Sequence, residues 1–321
     1  MKLNIPTNKA LATLGLFSSL LLASSAQAQI GTGWTLYSPT KKIHLDGSAG
    51  LQTFNWSSYQ SVDSPISADY SYNSSTDTET FRIVDNRSNR SEIRLQNEYT
   101  TGRRQFQGYV TFSSPLNDES LMQIFGSTSG ATLAMTRGYS ASGGSITVTG
   151  TGGTVWGSKT IATGCYGVEL RVNVIHSQDS YIQWYVNGTL KCQQADTEAG
   201  VANYHKYGCY GTLTTGTATV KWRAARSYMD GYPPKVEVYQ GCSYGGWKTS
   251  LVCGDYTTSD LTAMGFVNDD ASSVKVPAGY KVTLYTGDNF TGTSVTKTAD
   301  DSCFTDDGIN DQVSSIKVTV N

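Results

Sequence analysis

Polar and apolar residues alternate along most of this chain, in short runs that stop at Gly, Asn, Asp or Ser: RSEIRLQNEY, RQFQGYVTFSS, VELRVNVI, YIQWYVNGTLKC, ATVKWRAARSY and KVTLYTG. A period of two sends successive side chains to opposite faces of a strand. An amphipathic helix needs a period near 3.6, and that pattern is nearly absent. The chain is therefore predicted to be all-β, built of short antiparallel strands. Asn187-Gly188, inside YVNGTLK, is a hairpin signal suited to a type I′ turn.

The first 28 residues read differently. Lys2 and Lys9 are followed by the apolar run ALATLGLFSSLLLASS and by Ala26-Gln27-Ala28, the small-x-small pattern of a signal peptidase site. The run is too short to span a bilayer. The expectation is an exported, soluble protein with no membrane partner, cleaved near Ala28. About 290 residues then remain, enough for one large domain or two ordinary ones. Two prolines in DGYPPK, Asp230–Lys235, predict a stiff extended linker. The expected division is 29–230, a linker over 231–235, and 236–321.

Without Lys2 and Lys9 the chain carries 22 basic and 26 acidic residues, which argues against a nucleic-acid partner. From Lys235 onward there are 6 basic and 11 acidic residues, so the tail is acidic and the front part near neutral. Six cysteines stand at 165, 192, 209, 242, 253 and 303, with no Cys-x-x-Cys. In an exported protein they predict disulfides rather than zinc ligands. Three in each part predict one bridge and one leftover thiol per domain.

The tail repeats itself. Tyr239, Tyr244 and Gly246 recur as Tyr285, Phe290 and Gly292; Asn268-Asp269 with Ser272-Ser273 recur as Asn310-Asp311 with Ser314-Ser315. This aromatic hairpin followed by an N/D-N/D-x-x-S/T-S turn resembles the βγ-crystallin double Greek key over nearly all of 236–320. The resemblance implies calcium: Asp269 with Ser272, and Asp311 with Ser314, would supply side-chain oxygens, and backbone carbonyls the rest. An all-oxygen shell is what calcium requires. The alternative is that Asp and Ser here only favour turns. Bacterial modules of this type carry cysteines where Cys242 and Cys303 stand, so the resemblance implies that these two pair.

In the front domain three motifs follow one another. Arg90, Glu92 and Arg94 alternate in RSEIR, so in a strand they share a face, and Arg87, Arg103 and Arg104 lie close in sequence. Gln123 and Phe125 share a face in QIFG. Tyr204, Lys206, Gly208 and Tyr210 share a face, with His205, Tyr207 and Cys209 on the other. A sheet face bearing Arg, Gln, Lys and Tyr suits an anionic polymer. These motifs, in this order, resemble polysaccharide lyase family 7 and its jelly-roll relatives, the alginate and glucuronan lyases, over about 35–229. The family pattern is R-x-E-L-R, Q-I/V-H and Y-F-K-A-G-x-Y-x-Q. This chain departs from it at Phe125, where the family has histidine, and at Thr212, where it has glutamine.

The resemblance implies a concanavalin-like jelly-roll sandwich and β-elimination on a β-1,4-linked polyuronate, with no catalytic cofactor. Arg94 and Gln123 would neutralise the uronate carboxylate. Tyr210 would take the C5 proton and return one to the leaving oxygen, its phenolate favoured by a neighbouring cation, Lys206 or Arg94. Arg90, Glu92, Lys206 and Tyr204 would contact or order the substrate, with Glu92 orienting the arginines. His205 is read as structural, and His44 and His176 are assigned no role. Cys192 and Cys209 are expected to bridge and brace the catalytic strand, leaving Cys165 and Cys253 over. The protein is expected to be monomeric. Two alternatives stay open: a secreted glycan-binding protein without chemistry, and a glycoside hydrolase. The hydrolase needs two carboxylates flanking one bond, and no E-x-D-x-E cluster occurs.

Overall fold

The structure is a computed structural model that describes residues 29–47, 50–55, 68–84, 90–150, 157–211, 213 and 215–321. The proposed signal segment, Arg87 and Thr212 lie outside the described residues. The chain is all-β: among the described residues every strand pair is antiparallel, and the single α-helix is the six-residue Thr258–Ala263. Among the described residues no helix is long and apolar enough to cross a membrane.

Two eight-stranded sheets form a jelly-roll sandwich. One, here the site sheet, runs Ser158–Thr163, Ser145–Gly150, Thr132–Tyr139, Glu119–Gly126, Asn203–Tyr210, Arg90–Gln96, Thr40–Gly47, Gly50–Asn55. The back sheet runs Thr189–Ala195, Tyr181–Val186, Leu170–Ser177, Arg103–Phe112, Thr217–Met229, Thr78–Val84, Ala68–Asn73, with Thr35–Tyr37 paired to Thr217–Met229. Strand Thr78–Val84 shows the alternation directly, Glu79, Phe81 and Ile83 being buried and their neighbours half-exposed. The hairpin at Asn187-Gly188 has φ of 51° and 87° at its two central residues, the left-handed pair a type I′ turn needs.

The sandwich core is aromatic beneath the strand Asn203–Tyr210. Tyr207 packs on Phe106 at 5.0 Å and Phe81 at 5.7 Å, and Phe106 on Trp222 at 5.2 Å. Burying each such side chain is worth about 1.5–3 kcal/mol. The Tyr207 hydroxyl donates to the buried carboxylate of Glu79 at 2.8 Å, which also takes Lys41 Nζ at 3.0 Å and Tyr70 OH at 3.1 Å. A satisfied buried carboxylate of this kind fixes the strand's position relative to the back sheet.

Residues 236–320 form two small sheets, ordered Gly245–Leu251, Val236–Gly241, Ser273–Lys275 and Gly254–Tyr256, Ser315–Val320, Tyr280–Gly287, Thr291–Lys297. A second apolar cluster joins Ile175, Tyr185, Leu190 and Tyr228 of the sandwich to Val236, Tyr280 and Val282 of this domain. The Tyr280 hydroxyl lies 3.0 Å from that of Tyr185 and 3.1 Å from Gln183 Nε2, and donates to the Pro234 carbonyl at 2.8 Å. Tyr232 exchanges two backbone bonds with Thr32. The Pro-Pro segment is thus anchored on both sides.

Cys242 and Cys303 form a disulfide, and Cys253 is free. The expected Cys192–Cys209 bridge is corrected: both are free, buried thiols, as is Cys165. Cys192 sits on the edge strand of the back sheet, which faces the far edge Ser158–Thr163, whereas the strand of Cys209 lies four places inward, over Thr78–Val84 and Thr217–Met229.

Candidate functional site

The strand order of the site sheet brings four stretches side by side. Register pairs Lys206 with Arg94 and Gln123, Gly208 with Glu92, Tyr210 with Arg90, and Tyr204 with Phe125. On the other flank, Lys42 pairs with Arg94, His44 with Glu92 and Asp46 with Arg90. Directly paired residues share a face, so these side chains stand on one surface.

Glu92 is its centre. Lys206 Nζ lies 2.5 Å and Arg90 Nε 3.2 Å from Oε1, close ion pairs that are off hydrogen-bond alignment. Oε2 accepts from Gln123 Nε2 at 3.1 Å, and Gln123 Oε1 accepts from Thr132 at 3.2 Å. Gln123 is locked in orientation with one N–H left over. Burial pushes the Lys206 ammonium below its ordinary pKa, with Glu92 opposing and Arg90 and Arg94 adding to the fall. The strands close tightly here because Gly208, at φ 143°, has no side chain. A Cβ there would meet Ser91 O at 2.5 Å and Glu92 Cα at 2.6 Å.

Around this hub each cation lies over an aromatic ring. Arg90 is 4.7 Å and Lys206 5.9 Å from the Tyr210 ring, Arg94 is 4.1 Å from Tyr204, and Lys206 is 5.1 Å from Phe125. Arg94 also pairs with Glu98. Phe125 packs on Tyr204 at 5.4 Å, so this end of the site face is an aromatic wall.

His205 lies behind the sheet, fully buried. It is 3.2 Å from the Tyr99 hydroxyl, which is 2.8 Å from His176 Nδ1, and His176 Nε2 is 2.9 Å from Asp196. Burial, then His176 and Arg104, depress its pKa to about 3. His44, given no role above, stands on the site face beside Glu92. Burial, then Lys206, Arg90, Arg94 and Lys42, hold its pKa at about 4, and its buried Nδ1 has no partner. The signal was present in KKIHLDG, whose alternate residues Lys42, His44 and Asp46 form the polar face of a strand.

In the C-terminal domain the sequence pairing is corrected. Ser314 Oγ donates to Asp269 Oδ1 and Ser272 Oγ to Asp311 Oδ1, each at 3.0 Å, so each Asp meets the Ser of the other repeat. Asp269 and Asp311 both adopt left-handed φ, 56° and 54°. Ser314 Oγ is also 3.2 Å from the Thr286 carbonyl. Each crossed pair is an oxygen-only set that fits calcium. A further acidic trio, Asp301, Asp306 and Asp307, is already bridged by Lys297 Nζ, 2.6 Å from both Asp301 and Asp307.

No known family profile matches the chain. It is 37% identical over 83 residues to the development-specific protein S homolog of Myxococcus xanthus, spanning 26% of this chain and 46% of that protein. A solved βγ-crystallin domain from Flavobacterium johnsoniae is 42% identical, covering 27% of this chain and 94% of that one, with a TM-score of 0.26. A citrate-binding protein of Hevea brasiliensis is 29% identical over 157 residues, 46% of this chain and 61% of that protein. The chain thus spans about half to three fifths of the length of these curated relatives. The 157-residue match is longer than the 86 residues of 236–321, so it extends beyond the C-terminal domain. The sequence identities and the internal repeat make residues 236–321 a βγ-crystallin-like domain.

Proposed function

We propose that the protein is a secreted polysaccharide lyase that cleaves a β-1,4-linked polyuronate, mannuronate-rich alginate or glucuronan, with Tyr210 as proton carrier. The observation that carries this reading is the buried Glu92 carboxylate, which holds Lys206, Arg90 and Gln123 beside the Tyr210 ring. Abstraction of the C5 proton leaves a second negative charge next to the uronate carboxylate unless that carboxylate is first neutralised. Arg94 and the spare N–H of Gln123 serve this purpose, as charge-assisted and neutral donors fixed in advance. Tyr210, its ring beside Arg90 and Lys206, takes the C5 proton and gives one to O4. Phe125 carries no proton. A uronate whose C5 hydrogen and O4 lie on the same side suits a single tyrosine, which favours mannuronate and glucuronate.

The C-terminal domain binds calcium in this reading, through the crossed pairs Asp269–Ser314 and Asp311–Ser272. The signal-like N-terminus and the Cys242–Cys303 disulfide support export.

A second reading is a non-catalytic binder of anionic glycans or small polycarboxylates. Phe125 in the histidine position favours it, as does a relative whose name states citrate binding. Incubation with alginate, glucuronan and ulvan separates the two. A lyase raises the ultraviolet absorbance of an unsaturated uronate, a hydrolase releases reducing ends without it, and a binder does neither.

A further inference from the structure

We propose that His44 is a second proton-transfer residue of this site, standing across Glu92 from Tyr210 so that their side chains flank one sugar ring. The inference rests on the lyase reading above and extends it to uronates whose C5 hydrogen and O4 lie on opposite faces.

The placement follows from register. Tyr210 pairs with Arg90, and His44 pairs with Glu92 on the other side of the same strand. The two residues are therefore two strands apart and offset by two positions, which puts their Cα atoms roughly 12 Å from each other. Tyrosine and histidine side chains reaching over that interval leave room for a pyranose. No side chain from the tyrosine strand intrudes, because Gly208 lies opposite Glu92. The floor is Glu92 itself, 1% exposed and held by Lys206, Arg90 and Gln123.

The charges around His44 suit a base. Lys42 and Asp46 flank it on its own strand; Arg90, Glu92 and Arg94 face it from the next; Lys206 faces it from the third; and Thr53 pairs with it on the outer side. Burial first, and then cations that outnumber the acids, keep the imidazole of the free protein unprotonated well below neutral pH, with a pKa of about 4. A bound polyuronate places carboxylates against Arg90, Arg94 and Lys206, which lifts the electrostatic penalty on a protonated imidazole and raises its basicity as substrate arrives.

With Arg94 and Gln123 on the carboxylate, an imidazole lone pair of His44 takes the C5 proton. The C5–H electron pair becomes the C4=C5 π bond, the C4–O4 bond breaks, and O4 takes the phenolic proton of Tyr210. The resulting imidazolium and phenolate return to neutral by proton transfer through water. No oxidant, metal or co-reactant enters the balance.

The test uses the full-length protein with two readouts. In the first, wild type and His44→Gln are compared on polymannuronate and polyguluronate. Wild type is expected to cleave both, and His44→Gln to lose at least ~10²-fold in kcat on polyguluronate with KM little changed. If wild type cleaves polymannuronate but not polyguluronate, or if His44→Gln matches wild type on polyguluronate, the inference is overturned while the lyase reading stands. Absence of absorbance on every polymer overturns both. In the second, the His44 ring is titrated by NMR in the Tyr210→Phe protein, with and without saturating oligoguluronate. Its midpoint is expected near 4 without sugar and higher by at least one pH unit with it. An unchanged midpoint overturns the inference.

Discussion

Lys206 Nζ lies 2.5 Å from Glu92 Oε1, with only 6% and 1% of the two side chains exposed. An ion pair this enclosed is sensitive to loss of one partner, because the other charge is left in a poorly solvated place. Breaking such a pair typically costs about 3–5 kcal/mol, whereas replacing both members can be nearly neutral. Glu92→Gln is therefore expected to lower stability to urea by roughly 3 kcal/mol. The double substitution Glu92→Gln with Lys206→Met should recover most of it. Additive losses in that cycle would mean that the two side chains are not coupled.

Tyr210→Phe removes a hydroxyl and keeps the ring under Arg90 and Lys206. Turnover on polymannuronate is expected to fall by ~10²–10⁴-fold, the usual worth of a positioned acid–base group. Polysaccharide binding, measured by affinity electrophoresis, should be nearly unchanged. Turnover within a few-fold of wild type would exclude this tyrosine as the proton carrier.

The faces of individual strands were legible because a strand's side-chain period is fixed at two. Arg90, Glu92 and Arg94, and Tyr204, Lys206 and Tyr210, fall on the predicted surface for that reason alone. Adjacency between strands has no local signal. His44 joins the site only because Thr40–Gly47 pairs with Arg90–Gln96 in the sheet order, although 46 positions separate His44 from Arg90. The same limit explains both corrections. A repeated Asp-x-x-Ser turn shows that the two copies are alike, but not that they exchange partners. The number of cysteines in a domain says nothing of which sheet edge each one occupies.

In the proposed calcium-binding mode, the crossed pairs Asp269–Ser314 and Asp311–Ser272 would make each calcium position depend on both repeats. A ligand that binds only the folded state raises the melting temperature by mass action. Calcium is expected to raise the melting temperature of the full chain, and either Asp269→Ala or Asp311→Ala should remove one of two binding events in calorimetry. Full loss from one substitution would indicate a single shared ion; an unchanged melting temperature in EDTA would show that the turns are only turns.

Tyr280 ties the βγ-crystallin-like domain to the sandwich through Tyr185, Gln183 and the Pro234 carbonyl. Losing its hydroxyl leaves buried polar groups underbonded, at about 1–3 kcal/mol. Because an apolar cluster also spans the boundary, wild type is expected to melt in one transition that calcium shifts as a whole. Tyr280→Phe should split it, so that calcium moves only part of the unfolding signal. Two separate transitions already in wild type would show that the interface does not couple the domains.

The buried chain from His205 through Tyr99 and His176 to Asp196 makes the sandwich acid-sensitive. The pKa of His205 is about 3 in the folded protein, against 6.5 for an ordinary histidine. The folded state thus binds fewer protons than the unfolded state between these values. Its stabilising contribution is complete above pH 6.5 and is lost as pH falls toward 3, by roughly 4 kcal/mol over the window. His44, at about 4, adds a smaller loss over the same range. Urea unfolding between pH 7 and 4 is expected to show stability falling steadily with acid. His205→Gln, which keeps a donor for Tyr99 and cannot titrate, should flatten that slope even though it lowers stability at pH 7. An equal slope in the variant would place the acid sensitivity elsewhere, with His44 the next group to replace.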